Sequence, residues 1–189
     1  MAVYPIMLEM SHLPVVVIGG GDMADWKVET LRAADAQVTV VSPVVGPRLR
    51  ALANLGHIVW LQRFATYTDI EQARLTIIAT DDKEEQSRTI AWAKSAGTLL
   101  NVVDQPDHCD FYSTSHFRRG DLVVSLSTSG QAPALAAELR HALEEIIGPQ
   151  WAHQVRDIAA LRRSKRPPSE IKEVSRQMAI RLRKVESTR

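Results

Sequence analysis

The residues best suited to chemistry begin at Gly19, where the spacing Gly19-x-Gly21-x-x-Ala24 follows the apolar run Val15-Val16-Val17-Ile18. A dinucleotide pyrophosphate needs this pattern for three reasons. The first glycine permits a tight turn, the bare Cα of Gly21 lets a phosphate approach the backbone, and the small Ala24 lets a helix pack close to the strand. The helix N-terminus supplies the positive end of a dipole. A glycine turn kept only for packing is the competing reading, so the pattern needs its context.

That context is a βαβ unit. Three of the four residues before the turn are β-branched, which predicts a strand buried on both faces. Lys27, Val28 and Leu31 continue a helical pattern, and Gln37–Val41 reads as a second buried strand. This second strand ends in Ser42-Pro43, with no Asp or Glu to hold a ribose 2′-hydroxyl, so the residues leave NAD and NADP open.

Further along, strands alternate with helices. Pro5–Met10 reads as a short strand, Leu49–Leu55 as a weak helix, His57–Leu61 as a third strand and Thr68–Glu71 as a helix start. Leu75–Thr80 is a buried strand, Lys83–Ala96 a helix stopped by Gly97, and Leu99–Asp104 a fifth parallel strand. The alternation predicts an α/β fold of Rossmann type, a mostly parallel sheet with helices on both faces. Ligands bind such sheets beyond the carboxyl ends of the strands, where Gly19–Gly21, Thr80–Asp82 and Asp104 fall. The cofactor-binding set expected there is Gly19, Gly21, Asp22, Met23 and Ala24 from the first turn. Ser42, Pro43, Thr80, Asp81 and Val103 complete it from the other strand ends.

After residue 112 the pattern changes. Phe111–Phe117 and Leu122–Ser127 read as strands joined at a hairpin turn, Arg118-Arg119-Gly120-Asp121. A helix follows with Pro133 in its first turn and Leu135, Leu139, Leu143 and Ile146 along one side, ended by Gly148-Pro149. One strand pair and one helix cannot bury a core alone, so this α+β segment is expected to dock on a second subunit. Two helical segments close the chain. Trp151, Val155, Ile158 and Leu161 stripe the first. Ile171, Val174, Met178, Leu182 and Val185 stripe the second, which is set off by Pro167-Pro168 and capped by Ser169. The expected organisation is thus 1–112 for the cofactor, 113–148 for dimerisation and 149–189 as a helical, basic end.

The net charge of +1 hides an asymmetry: residues 151–189 hold eleven Lys or Arg against four Asp or Glu, a balance of +7 that leaves −6 in the rest. Such a tail could meet nucleic acid, an acidic subunit or a polyanionic small molecule, or be a solvated helical face. At 189 residues, with 45% hydrophobic and 24% charged residues, the composition is that of a globular protein. No apolar run spans a bilayer and no leader pattern is present, so a cytoplasmic location is expected. The single cysteine, Cys109, excludes an intrachain disulfide and a multi-cysteine metal site. His108, Cys109 and His116 match no standard metal spacing; the cysteine reads as a small buried hydrophobe and the histidines as polar loop residues, so no resident metal is expected.

Several separate blocks together resemble one family. They are the Gly19-Gly20-Gly21-Asp22-Met23-Ala24 turn, the Thr80-Asp81-Asp82 strand end, Asn101-Val102-Val103-Asp104-x-Pro106-x-x-Cys109-Asp110-Phe111, Arg118-Arg119-Gly120-Asp121-Leu122 and Ser127–Ala136. The family is the precorrin-2 dehydrogenase or sirohydrochlorin ferrochelatase, found alone or as the front module of siroheme synthases, and the resemblance spans about residues 3–148. It implies NAD-dependent oxidation of precorrin-2 to sirohydrochlorin, in some members insertion of ferrous iron or cobalt, and a homodimer. Asp104 matches the family's acid-base aspartate, against the plainer role of a loop-capping carboxylate. The implied substrate is a tetrapyrrole fringed with carboxylates, which calls for cationic and N–H donors. Arg118 and Arg119 are candidates, as are the amides of Ser127, Thr128, Ser129 and Gly130; a hairpin tip and a helix cap are the structural alternatives. Trp26 stands where the family usually has arginine before the lysine matching Lys27. Nucleic acid and membrane are not the expected partners. A nucleotide-sensing regulatory module, or a tetrapyrrole-carrying scaffold without catalysis, is the alternative to an enzyme.

Overall fold

The computed structural model describes residues 3–185, with side chains as far as Ile180, so Leu182 and Val185 of the last helical stripe lie outside the described side chains. The chain divides into two compact units, Tyr4–Tyr112 and a second that begins at Ser113.

The first unit is a five-stranded sheet, wholly parallel in its pairings. Its strands are β1 (Pro14–Ile18), β2 (Gln37–Val41), β3 (Val59–Leu61), β4 (Leu75–Ile78) and β5 (Leu99–Val102), in the order β3-β2-β1-β4-β5. Its helices are α1 (Asp22–Arg32), α2 (Pro47–Asn54), α3 (Tyr67–Glu71) and α4 (Lys83–Ala96). The β-branched run of β1 takes the central place because both its faces are covered: Val15 and Val17 face one core layer, Val16 and Ile18 the other. Ala24 and Val28 of α1 and Leu49 of α2 close the first layer, and Ile70 of α3 with Ile90 and Ala93 of α4 close the second. Gly97 ends α4 in the left-handed conformation, φ +68°, that glycine adopts at no steric cost. The chain leaves β1 toward β2 on one side and later returns to β4 on the other, which opens a crevice at the carboxyl ends of β1 and β4.

Pro5–Met10 does not join the sheet. Met10 is buried in the core, while Tyr4, Ile6 and Met7 are exposed and make no ladder. The expected strands ending in Thr80 and Asp104 stop earlier, at Ile78 and Val102, because the chain must turn out of the sheet to form the crevice wall. The outer edge of β5 is covered from within: Asp110 N donates to Leu100 O, Leu100 N donates to Asp110 Oδ2 at 3.0 Å, and Val102 N donates to Cys109 Sγ at 3.2 Å.

The second unit holds the hairpin of β6 (Ser115–Arg119) and β7 (Leu122–Leu126), then α5 (Pro133–Ile146), α6 (Trp151–Arg163) and α7 (Pro168–Val185). Arg119 pairs with Leu122, so the turn is the two-residue Gly120-Asp121 and both arginines lie in β6 rather than in the turn. Pro168 is the first residue of α7, which puts Ser169 inside the helix instead of at its cap.

Candidate active site

Three glycines build the first wall of the crevice, each for its own reason. Gly19 has φ +111°, and a Cβ there would collide with the Ala79 carbonyl. A Cβ on Gly20 would collide with the Val44 carbonyl, and Gly46 N donates to Gly20 O at 2.9 Å. These two are glycines because the backbones after β4 and β2 press on the turn. Gly21 is different: a Cβ there would meet nothing within 4 Å, and its φ of −83° suits any residue. The packing does not require glycine at 21, whereas a phosphate lying against the backbone does. Gly21 is also the N-cap of α1 with no side chain capping it, so the first N–H groups of the helix are presented to a ligand. Asp22 and Met23 are exposed beside them, and the fully buried Ala24 lets α1 lie close on the sheet. A pyrophosphate fits this turn.

Ser42 and Pro43 follow β2, but the Ser42 hydroxyl donates to Val44 O at 2.7 Å and its own carbonyl accepts from Trp60 Nε1 at 2.9 Å. Ser42 therefore shapes the loop over the glycine turn. Thr80 and Asp81 follow β4; Asp81 is exposed, and Thr80 Oγ1 accepts from Asp82 N at 3.3 Å. Asp82 caps α4 by accepting from Glu84 N and Glu85 N, both at 3.0 Å.

Val103 and Asp104 form the turn after β5. Val103 N donates to Ile78 O, tying the turn to β4, and Asp104 is exposed with φ +59°, a left-handed conformation that Asp tolerates better than most residues. On one side Gln105 Nε2 donates to Gln86 Oε1 at 2.6 Å, and Gln86 Nε2 reaches Thr80 O at 3.5 Å. On the other, Cys109 Sγ lies 3.3 Å from Val102 O and 3.3 Å from Gln105 O. Cys109 thus holds the turn through hydrogen bonds and is only partly buried, so it is more than an apolar filler. Asp104 follows the carboxyl end of β5, at the same end of the sheet as the glycine turn after β1 and two strands along, with β4 between them.

Two buried residues here are not apparent from local sequence. Lys27 of α1 is 7% exposed and Asn101 of β5 is 6% exposed, and Lys27 Nζ donates to Asn101 Oδ1 at 3.0 Å. Burial pushes the Lys27 ammonium below its ordinary range, opposed by the nearby Cys109 and Asp104. The pair spans 74 positions, so only the odd placement of a Lys on a core-facing side of α1 signals it.

In the second unit the paired arginines have different fates. Arg119 Nε donates to Ile147 O at 3.0 Å, its terminal nitrogens meet Glu144, and its guanidinium lies 5.2 Å from the Phe117 ring centroid. It fastens the hairpin to the end of α5, while Arg118 is exposed. Ser127–Gly130 form a turn ahead of α5, not its first N–H groups. Ser127 Oγ accepts from Ser129 N, Thr128 Oγ1 accepts from Ala132 N, and Ser129 and Gly130 both have positive φ. Within their own units His108 meets Lys94 at 3.3 Å and His116 meets Thr114 O at 3.1 Å. Among the described residues no three His, Cys, Asp or Glu side chains converge as metal ligands, and no helix is long and apolar enough to cross a membrane.

A parallel sheet with a bare glycine turn at its switch point defines a dinucleotide-binding protein. Residues 6–115 match the putative NAD(P)-binding family, and the chain belongs to it. Sequence relatives are siroheme synthases. That of Actinobacillus succinogenes is 36% identical over 162 residues, covering 86% of this chain and 34% of its own length. Siroheme synthase 1 of Aeromonas salmonicida is 38% identical over 143 residues, 76% of this chain and 31% of its own length. The chain spans about a third of the length of these relatives. Among solved structures, SirC, a precorrin-2 dehydrogenase, superposes with a TM-score of 0.76 at 21% identity, covering 90% of this chain and 86% of its own, a likeness of fold.

Proposed function

We propose that this protein catalyses NAD-dependent dehydrogenation of precorrin-2 to sirohydrochlorin, a step toward siroheme or cobalamin. The observation that carries the reading is Asp104, an exposed carboxylate fixed in a left-handed turn on the sheet edge that also carries the bare glycine turn. Oxidation removes a hydride from one macrocycle carbon and a proton from a neighbour, leaving a new double bond. When bound, the nicotinamide supplies the hydride acceptor. Gly21 and the first amides of α1 hold the pyrophosphate, and Gly19, Thr80, Asp81 and Val103 line the approach to the ring. Asp104 accepts the proton and passes it to solvent, which its exposure allows.

The macrocycle's carboxylates call for Arg118 and the Ser127–Gly130 turn; Arg119 serves by holding the hairpin. The organisation that follows is 1–112 for cofactor, 113–148 for pairing with a second copy and 149–189 as a basic helical end. Leu135 and Leu139 of α5 are 53% and 44% exposed, as a dimer-forming face requires. A reducing cytoplasm suits the single thiol. Ferrous iron or cobalt enters this scheme as a substrate inserted after oxidation.

The test is anaerobic incubation of the purified chain with precorrin-2 and NAD, following nicotinamide absorbance and the tetrapyrrole spectrum together. Wild type should yield reduced cofactor and sirohydrochlorin in equal amounts. Asp104→Ala should slow this about 100-fold or more while still binding NAD. NAD binding without turnover would make the protein a nucleotide-sensing module; tetrapyrrole binding with no nicotinamide signal would make it a carrier. Adding ferrous ion or cobalt afterwards reads insertion from the spectrum of the metallated product.

A further inference from the structure

We propose that Lys27 is a positioning residue for Asp104, a cation buried in the fold to hold and charge-balance the turn that carries this carboxylate. The inference deepens the proposed function and rests on it. By strand register, Asn101 lies in one row with Val40, Val17 and Ile77, an otherwise apolar row on the face covered by α1. Lys27 reaches that row from α1, with Nζ 3.0 Å from Asn101 Oδ1 and 5.1 Å from the centroid of the half-exposed Trp26 ring. Taking an ammonium out of water costs several kcal/mol, and apolar residues of similar volume are often as stable or more so in such places. A core alone would be served as well by apolar residues at both 27 and 101, so the buried pair and its charge call for another reason.

The contacts of Asn101 supply it. Its amide nitrogen donates to Phe111 O at 2.9 Å and lies 3.6 Å from Cys109 Sγ. Cys109 Sγ in turn contacts Val102 and Gln105, the residues that bracket Val103-Asp104. One chain of contacts therefore runs from the ammonium to both ends of the Asp104 turn. The segment after β5 also bears on the charge: burial lowers the Lys27 pKa, Cys109 and then Asp104 raise it, and the Trp26 ring centroid lies 5.1 Å from the ammonium.

The test compares Lys27→Met and Lys27→Arg with wild type in the precorrin-2 assay, and reads Lys27 directly by heteronuclear NMR titration without cofactor or substrate. Lys27→Met takes the ammonium donor from Asn101 Oδ1 and should melt a few degrees below wild type, yet bind NAD within twofold and lose at least tenfold in kcat with KM for precorrin-2 within threefold. Lys27→Arg should keep more of kcat than Lys27→Met. In Asp104→Asn the Lys27 titration midpoint should fall below its wild-type position, because a carboxylate that favours the ammonium is gone. Wild-type kcat in Lys27→Met, equal losses in Met and Arg, or a Lys27 midpoint unmoved by Asp104→Asn would each overturn the proposal. Should wild type itself fail to oxidise precorrin-2, the functional reading falls, while the midpoint in Asp104→Asn still decides the coupling.

Discussion

The two units of the chain differ in how they treat apolar side chains. In Tyr4–Tyr112 the sheet and its helices build two closed layers, and Val17, Ile18, Val28, Val40 and Ile78 are fully buried. From Ser113 on, Phe117 and Ala136 are the only buried apolar residues among those described, while Leu135 and Leu139 stand exposed. The first unit carries its own core; the second is a hairpin and helices whose apolar faces outnumber the partners its own length provides. A rigid sheet edge suits the first unit to hold a cofactor, and an uncovered helix face suits the second to assembly.

The contrast is broken most forcefully at the glycine turn. Gly19→Val places a branched side chain at φ +111° against the Ala79 backbone, so it should cost about 3–5 kcal/mol and abolish NAD binding, read by thermal melting and calorimetry. Gly21→Ala is its control: the new methyl meets no protein atom, so the melting temperature should stay within about 1–2 °C while NAD affinity falls at least tenfold, about 1.4 kcal/mol. Equal effects of the two would mean that Gly21 is also structural and that the turn is not shaped for a phosphate. On the second unit, Leu139→Glu puts a charge on the exposed face of α5. It should convert a dimer to a monomer in sedimentation without lowering NAD affinity more than twofold. A chain that sediments as a monomer before substitution would remove the proposed role of this face.

Much of the first unit was legible because its signals are local. The β-branched run of β1, the bounds Gln37–Val41 of β2 and the Lys83–Ala96 helix with its Gly97 stop follow from patterns a few residues long. Pro5–Met10 reads as a strand yet joins no ladder: an apolar run without period-2 alternation does not distinguish a strand from a segment that merely anchors one residue, here Met10. At the site, Gly19 directly follows β1, while Thr80 and Asp104, expected as the last residues of their strands, lie two residues beyond β4 and β5. It had no means to pair Lys27 with Asn101, to hand the Arg119 guanidinium to Glu144 and Ile147, or to seat Cys109 in the Asp104 turn. The first two join groups 25 to 74 positions apart, the third seats a thiol on a carbonyl of its own loop, and periodicity carries no record of any of them.

The smallest expected effect lies at the first unit's surface and separates the units by pH. Asp69 at the start of α3 accepts from Arg63 at 2.6 and 2.8 Å and from Thr66 N at 2.8 Å. The Arg63 guanidinium beside it holds its carboxyl down at about 2, below the usual 3.8. Its folded value lies under its unfolded one, so the pair stabilises fully above pH 3.8 and loses this as pH falls toward 2. Arg63 is 44% exposed, so solvent screening trims the contribution to about 1 kcal/mol. Asp69→Asn should therefore lower the stability of the first unit by about that amount at pH 7 and by almost nothing near pH 2, in denaturant titrations at both values. A penalty of equal size at the two pH values would mean that the residue's worth does not come from its charge, because the hydrogen bond from the Thr66 amide is one an asparagine oxygen also accepts.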